Sequence, residues 1–139
     1  MAERSDPSRE TQVTWRVRRY LIDIGYRVRS EIPFMSKRID LVGVIPRSGT
    51  VVAIEAKVKD WRQGLQQALP YRLCSHKTYL AISTRYLHRV DRGMFGKFGV
   101  GLIAVDGSAR VEISARTSPL TYPAYLETVR SQVLRRTKT

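Results

Sequence analysis

Two apolar runs that flank a turn in residues 39–57, IDLVGVIPRSGTVVAIEAK, constrain the fold more than any other feature. Runs rich in β-branched residues on either side of a Ser-Gly pair predict two antiparallel strands joined by a hairpin turn. Asp40 interrupts the first run, and Glu55 and Lys57 interrupt the second. Charged side chains are rarely buried unless they are paired. The hairpin therefore predicts both a part of a sheet and a candidate site.

The spacing within the hairpin predicts that the three charged residues converge. A two-residue turn at Ser48 and Gly49 makes the numbers of paired residues sum to 97, which places Asp40 opposite Lys57. Strand side chains alternate, so Glu55 shares the face of Lys57 and lies diagonally beside Asp40. Two carboxylates about 4 Å apart would repel by roughly 4 kcal/mol at an effective dielectric constant near 20. A divalent cation would offset this repulsion.

We therefore expect a metal site formed by Asp40, Glu55 and the backbone carbonyl of Ala56, because Mg²⁺ prefers oxygen ligands and retains several waters. A metal there can polarise a phosphoryl oxygen and lower the pKa of a bound water, and Lys57 can orient that water or stabilise developing charge. This is the chemistry of phosphodiester hydrolysis. The alternative for these residues is a structural ion pair with one extra acid, a costly arrangement when buried.

The remaining sequence predicts one alternating α/β domain over residues 1–139. Apolar residues recur at helical spacing over about residues 8–23, and Gly25 ends this helix. Asp60 is a candidate N-cap for the helix after the hairpin, and Pro70 is expected to bend or restart that helix. Strands are predicted in YRVRSEIPF, both hairpin arms, KTYLAIS, GVGLIAVD and ARVEISA, and the other helices in about residues 60–75, TRYLHRVDRGMF and about residues 122–136.

The net charge of +13 makes nucleic acid the first partner to consider, although an arginine-rich proteome would supply part of this excess without any function. Lys37 and Arg38 precede Asp40 directly and can contact the phosphates that flank a scissile bond.

The start, MAERSDPSRE, has no apolar signal region, so a cytoplasmic location is expected. No segment predicts a membrane span.

An aspartate, a hairpin and then the triplet Glu55, Ala56, Lys57 resemble the signature of the PD-(D/E)XK nuclease superfamily, with Ile39 where the motif has proline. The order of the elements is similar too, since one helix precedes the hairpin and another follows it. The resemblance covers about residues 8–85 and implies a restriction-endonuclease-like fold, a mixed central sheet flanked by helices. The strands and helix within residues 86–139 would be peripheral additions.

The same resemblance implies roles for individual residues. Asp40 and Glu55 would bind Mg²⁺ or Mn²⁺, Lys57 would assist the attacking water, and DNA would be cut. Several related nucleases carry Q-x-x-x-Y in the helix after the lysine strand, which Gln67 and Tyr71 match. Gln67 would contact a phosphate or order Lys57, whereas a solvent-facing polar residue is the alternative. The DNA contacts are expected from Gln63 and Tyr71, on the same helical face, and from Lys37 and Arg38. A packed aromatic ring with a bonded hydroxyl is the alternative for Tyr71.

Two further acids are candidates for the site. Glu10 shares the apolar face of the first helix, and first-helix acids of this kind occur in the family, although compensation of the helix dipole also explains it. Glu31 lies at the end of the first strand.

A homodimer is expected by analogy, because paired cuts need two sites.

Two other functions are compatible with the sequence. A DNA-binding module that keeps this fold without cutting would retain the basic surface. An RNA-binding protein of ribosomal type explains the charge but leaves the hairpin acids unexplained.

Overall fold

The computed structural model describes residues 6–135, and within this part of the chain six strands form a single sheet. Their order in the sheet is their order in the sequence. The strands are β1 (Arg27–Phe34), β2 (Lys37–Val44), β3 (Val51–Lys57), β4 (Lys77–Ser83), β5 (Gly101–Val105) and β6 (Ala109–Ile113). Strand β4 pairs in parallel with β3 and β5, and the other pairs are antiparallel. The sheet is therefore mixed.

Helices cover both faces of the sheet. They are α1 (Glu10–Asp23), α2 (Trp61–Ala68), α3 (Arg92–Phe98) and α4 (Pro123–Leu134). One face packs against α1 through Val13, Val17 and Leu21. On the other face, α4 packs over β1 and β2, and α2 and α3 pack over β4 and β5. The predicted class, a single α/β domain with a mixed central sheet flanked by helices, is confirmed.

The helix after the hairpin begins and changes where the sequence predicts. Asp60 caps α2, since its Oδ1 accepts a hydrogen bond from the backbone N–H of Gln63 at 3.1 Å. The α-helix ends at Ala68 and continues as a 3₁₀ helix, Leu69–Leu73, with Pro70 near its start. Proline has no N–H to donate to the preceding turn, which explains the change of helix type. The segment after β4 likewise divides into a 3₁₀ helix, Thr84–Arg89, and α3.

The predicted register of the hairpin is wrong by two residues. Leu41 pairs with Ile54, so paired numbers sum to 95 and not 97. The N–H of Ile45 donates to the carbonyl of Thr50 at 3.0 Å, which leaves a four-residue loop. A two-residue turn of the favoured type needs positive φ at both positions. Gly49 has a φ of 76°, whereas Ser48 does not adopt positive φ. The error is even, so every side chain keeps its predicted face.

The last third of the chain completes the core. All residues of β5 are buried, and this strand lies between β4 and β6 inside the sheet. Val129 and Val133 of α4 are buried in the same cluster as Phe34 and Val42. Residues after 85 therefore pack into the same core and do not form an outer addition to it. Within residues 6–135 no helix is long and apolar enough to cross a membrane.

Candidate active site

Asp40 and Glu55 face each other on adjacent strands. The pairing of β2 with β3 ends at Leu41 and Ile54, and the same register extended by one residue puts Asp40 opposite Glu55 and not on the predicted diagonal. Oδ2 of Asp40 accepts a hydrogen bond from the backbone N–H of Ala56 at 2.8 Å, which fixes the carboxylate across the strand pair. Asp40 is half-buried, whereas Glu55 is only 6% exposed. Asp40 is thus more accessible to solvent than Glu55.

Tyr71 holds Glu55 in place through a hydrogen bond. Its hydroxyl donates to Oε1 of Glu55 at 2.7 Å and lies 3.5 Å from the backbone oxygen of Arg38. The ring is 2% exposed, so no surface remains for a nucleic acid. The prediction that Tyr71 contacts DNA is therefore corrected: the 3₁₀ geometry after Leu69 turns this residue into the core. Tyr71 positions an acid instead.

Burial and mutual repulsion perturb the ionisation of both acids. Burial, the largest cause, raises the pKa of Glu55 from 4.5 to about 7, and the hydrogen bond from Tyr71 opposes this only in part. The charge of Asp40 raises the pKa of Glu55 further. Burial also raises the pKa of Asp40, against the hydrogen bond from Ala56. Near neutral pH the pair therefore retains a proton, and a cation that replaces this proton would relieve the same repulsion.

Lys57 is held against the hairpin by α2. Its Nζ donates to Oε1 of Gln63 at 3.2 Å and lies 3.8 Å from Oε2 of Glu10. The Lys57 side chain is 12% exposed. At Gly64 a Cβ atom would lie 2.8 Å from Cγ of Lys57 and 2.5 Å from Cδ1 of Leu80, so only glycine lets α2 approach this closely. The ammonium group is thereby fixed at the end of β3.

The two additional candidate acids both lie near Asp40. The charges of Glu10 and Glu31 each raise the pKa of Asp40, which places both carboxylates within electrostatic reach of it. Glu31 has a left-handed φ of 59°, a conformation that is strained for a residue with a side chain. Its Oε1 lies 3.8 Å from Nη1 of Arg38, an exposed pair that contributes little to stability. The carboxylates of Glu10 and Glu31 thus add negative charge in the surroundings of Asp40.

The glutamine that contacts Lys57 is Gln63 and not Gln67, which was predicted to order Lys57 or to contact a phosphate. Gln67 is half-buried one turn further along α2, and its catalytic role stays a prediction. The signal for Gln63 was present in the sequence, because a residue three positions after an N-cap lies in the first helical turn, next to the preceding strand. Lys37 and Arg38 are exposed at the start of β2, directly before Asp40.

The donor set fits a hard divalent cation with few protein ligands. Within residues 6–135 no three His, Cys, Asp or Glu side chains form a metal-binding group of their own. Mg²⁺ is commonly bound by one or two carboxylates with waters completing its shell, which is what Asp40 and Glu55 offer. The carbonyl of Ala56 as a further ligand stays a prediction.

Comparisons with known proteins bear on the fold. No family model matches the chain, and no curated protein matches it. Among solved structures the chain is similar to a protein of unknown function from Silicibacter pomeroyi. The TM-score is 0.69 and the identity 21%, over 87% of this chain and 81% of that chain. At this identity the likeness supports a shared fold alone.

Proposed function

We propose that this protein is a metal-dependent nuclease of the PD-(D/E)XK type that hydrolyses DNA phosphodiester bonds. The observation that carries the proposal is the pair of facing carboxylates, Asp40 and Glu55, with Lys57 fixed at the same end of β3. The raised pKa values of both acids support a cation between them. The net charge of +13 supports a polyanionic substrate.

The arrangement divides the work of hydrolysis among the residues of the site. Mg²⁺ or Mn²⁺, when bound, supplies Lewis-acid activation of the phosphoryl group and of water. Asp40 and Glu55 would hold the cation, and the hydrogen bonds from Ala56 and Tyr71 keep the two carboxylates in place. Lys57 orients the attacking water or stabilises negative charge that develops on the phosphate.

Substrate contacts come from residues around the acids. Lys37 and Arg38 are exposed beside Asp40 and hold the phosphates next to the scissile bond, contacts that do not depend on sequence. Gln67 contributes a polar contact from α2.

The protein acts in the cytoplasm, and a homodimer would supply the two sites that paired cuts require.

The test is cleavage of labelled single-stranded, duplex and four-way-junction DNA in Mg²⁺, in Mn²⁺ and in EDTA. Wild type is compared with Asp40→Asn, Glu55→Gln and Lys57→Ala. Glu127→Gln is the matched control, because it removes an exposed acid of α4 that lies outside the site. Wild type and the control should cut with either metal, and each site variant should lose at least about 100-fold in rate.

The same experiment separates the alternatives. DNA binding in EDTA, measured by fluorescence anisotropy, should persist in every variant of the site. If wild type binds DNA but does not cut it with either metal, the protein is a binding module with a nuclease-like fold. If RNA is bound in preference to DNA, the substrate part of the proposal is wrong.

A further inference from the structure

A cleft lined by arginines lies at the exposed edge of the sheet, apart from Lys37 and Arg38. Strand β1 pairs with β2 on one side only, and a cleft of about 620 Å³ runs along its other side between α1 and the end of α4. We name it the edge cleft. Its charged lining residues are Arg18 of α1, Arg27 and Arg29 of β1, and Arg135 after α4. Among residues 6–135, none that lines it is acidic.

Four like charges in one cleft favour an anionic occupant. Within residues 6–135, Arg18, Arg27 and Arg135 form no ion pair with a carboxylate. Arg29 is fixed in place, because its Nη1 donates to the backbone oxygen of Gln132 at 3.0 Å. Arginine presents a planar array of donors that matches phosphate oxygens. A row of phosphates would offset the mutual repulsion of Arg18, Arg27 and Arg135.

The position of the edge cleft relates it to the acids. Glu31 lies at the level of Asp40, because Ser30 pairs with Leu41 and Ile32 with Ile39. Arg27 precedes Glu31 by four residues on β1, which corresponds to roughly 13 Å along the strand. A DNA strand advances about 3.4 Å per nucleotide along the helix axis. A backbone whose scissile phosphate lies at Asp40 would therefore reach the cleft about four nucleotides away.

We infer that the edge cleft is a second phosphate-binding site, which holds the nucleic-acid backbone a few nucleotides from Asp40 and Glu55. The inference rests on the proposed function for the identity of the substrate. It extends that function, because it assigns backbone contacts to a surface of α1, β1 and the end of α4 that carries none of the predicted DNA-binding residues. An acidic peptide that pairs with the free edge of β1 is the competing occupant.

The test compares two double variants that remove the same charge. Arg18→Gln with Arg27→Gln changes the edge cleft, and Arg47→Gln with Arg116→Gln removes two exposed arginines that do not line it. A short fluorescein-labelled DNA duplex is titrated in EDTA at several NaCl concentrations, so that no cutting contributes. Each lost phosphate contact lowers the slope of log K against log salt by about 0.9. The edge-cleft variant should therefore lose about 2 from the slope and at least about tenfold in affinity, and the control much less.

Each outcome decides the inference. Equal losses in both double variants would overturn it, since the cleft would then be only a part of a diffuse positive surface. Unchanged DNA affinity together with lost binding of a polyglutamate peptide would overturn it in favour of the peptide. Thermal unfolding of both variants, expected to match wild type, excludes a folding defect. If wild type fails to cut DNA while the edge-cleft variant still loses slope, the nuclease proposal fails and the phosphate site stands.

Discussion

Replacing Glu55 by glutamine should make the protein more stable at neutral pH in the absence of metal. The pKa of Glu55 is raised from 4.5 to about 7 in the folded protein, chiefly by burial. Below pH 4.5 the carboxyl group is protonated in both the folded and the unfolded states. Between these two values the unfolded chain loses the proton while the folded chain keeps it, so the free energy of unfolding decreases as pH rises.

The size of the effect follows from this interval. One pKa unit corresponds to about 1.4 kcal/mol, so ionised Glu55 costs the folded state about 3 kcal/mol above pH 7. Glutamine is nearly the same size, carries no charge, and its Oε1 can still accept the hydrogen bond that Tyr71 donates at 2.7 Å. Glu55→Gln should therefore gain up to about 3 kcal/mol at pH 8 and nothing below pH 4.5.

The assay is urea denaturation in EDTA across pH 4 to 8.5, with wild type, Glu55→Gln and the exposed-acid control Glu127→Gln. The control should follow wild type at every pH. Adding Mg²⁺ should stabilise wild type and have little effect on Glu55→Gln, because a ligand that binds only the folded state raises its stability. If wild type and Glu55→Gln lose stability in parallel as pH rises, Glu55 is not the buried group that resists ionisation, and the electrostatic argument for a cation fails.

Three further predictions test neighbouring contacts. Gly64→Ala should lower the free energy of unfolding by about 1–3 kcal/mol in urea denaturation and slow cleavage. The new methyl group would lie 2.8 Å from Cγ of Lys57 and would also collide with the buried Leu80. Unchanged stability would contradict the close approach of α2. Tyr71→Phe removes the hydrogen bond that lowers the pKa of Glu55, so the acid limb of the cleavage pH profile should move to higher pH, and a shift to lower pH would refute this role. Burial raises the pKa of Cys74 to about 12, so a thiol reagent should label the protein only after denaturant is added, and rapid labelling of the folded protein would be inconsistent with the structure.

The sequence predicted the elements better than their pairing. Apolar periodicity is a local property, and each predicted helix and strand has a counterpart in the structure. The hairpin register depended on the loop, where a Ser-Gly pair suggested a two-residue turn. Ser48 does not adopt the positive φ that this turn needs, so the loop takes four residues and closes on Gly49. Local sequence signals the presence of such a turn more strongly than its length.

The sequence predicted correctly that Asp40 and Glu55 lie close together, because residues of one hairpin are close in space. Asp40 and Glu55 come together because both belong to one hairpin, and an even register error leaves them on the same face. The partner of Lys57 was assigned by a motif and not by geometry, so Gln67 was favoured over Gln63. The burial of Tyr71 depends on a 3₁₀ helix, and the sequence signalled only that Pro70 would disturb the α-helix.

The edge cleft lay beyond sequence reasoning. Its arginines come from α1 and β1, which are neighbours in the sequence, and from the end of α4, more than 100 residues later. No periodicity links such distant positions. Only the packing of both helices against the edge of the sheet places them together.

The hydrogen bond between Tyr71 and Glu55 ties the site to the order in which the chain is synthesised. Asp40 and Glu55 leave the ribosome before Tyr71 does, and β3 lacks its neighbour β4 until that strand has followed. A nascent chain therefore carries the acids without the packed sheet that holds them. A chain that ends before Tyr71 should therefore not cleave DNA, because Glu55 then lacks the hydrogen bond from Tyr71 and β3 lacks β4 beside it.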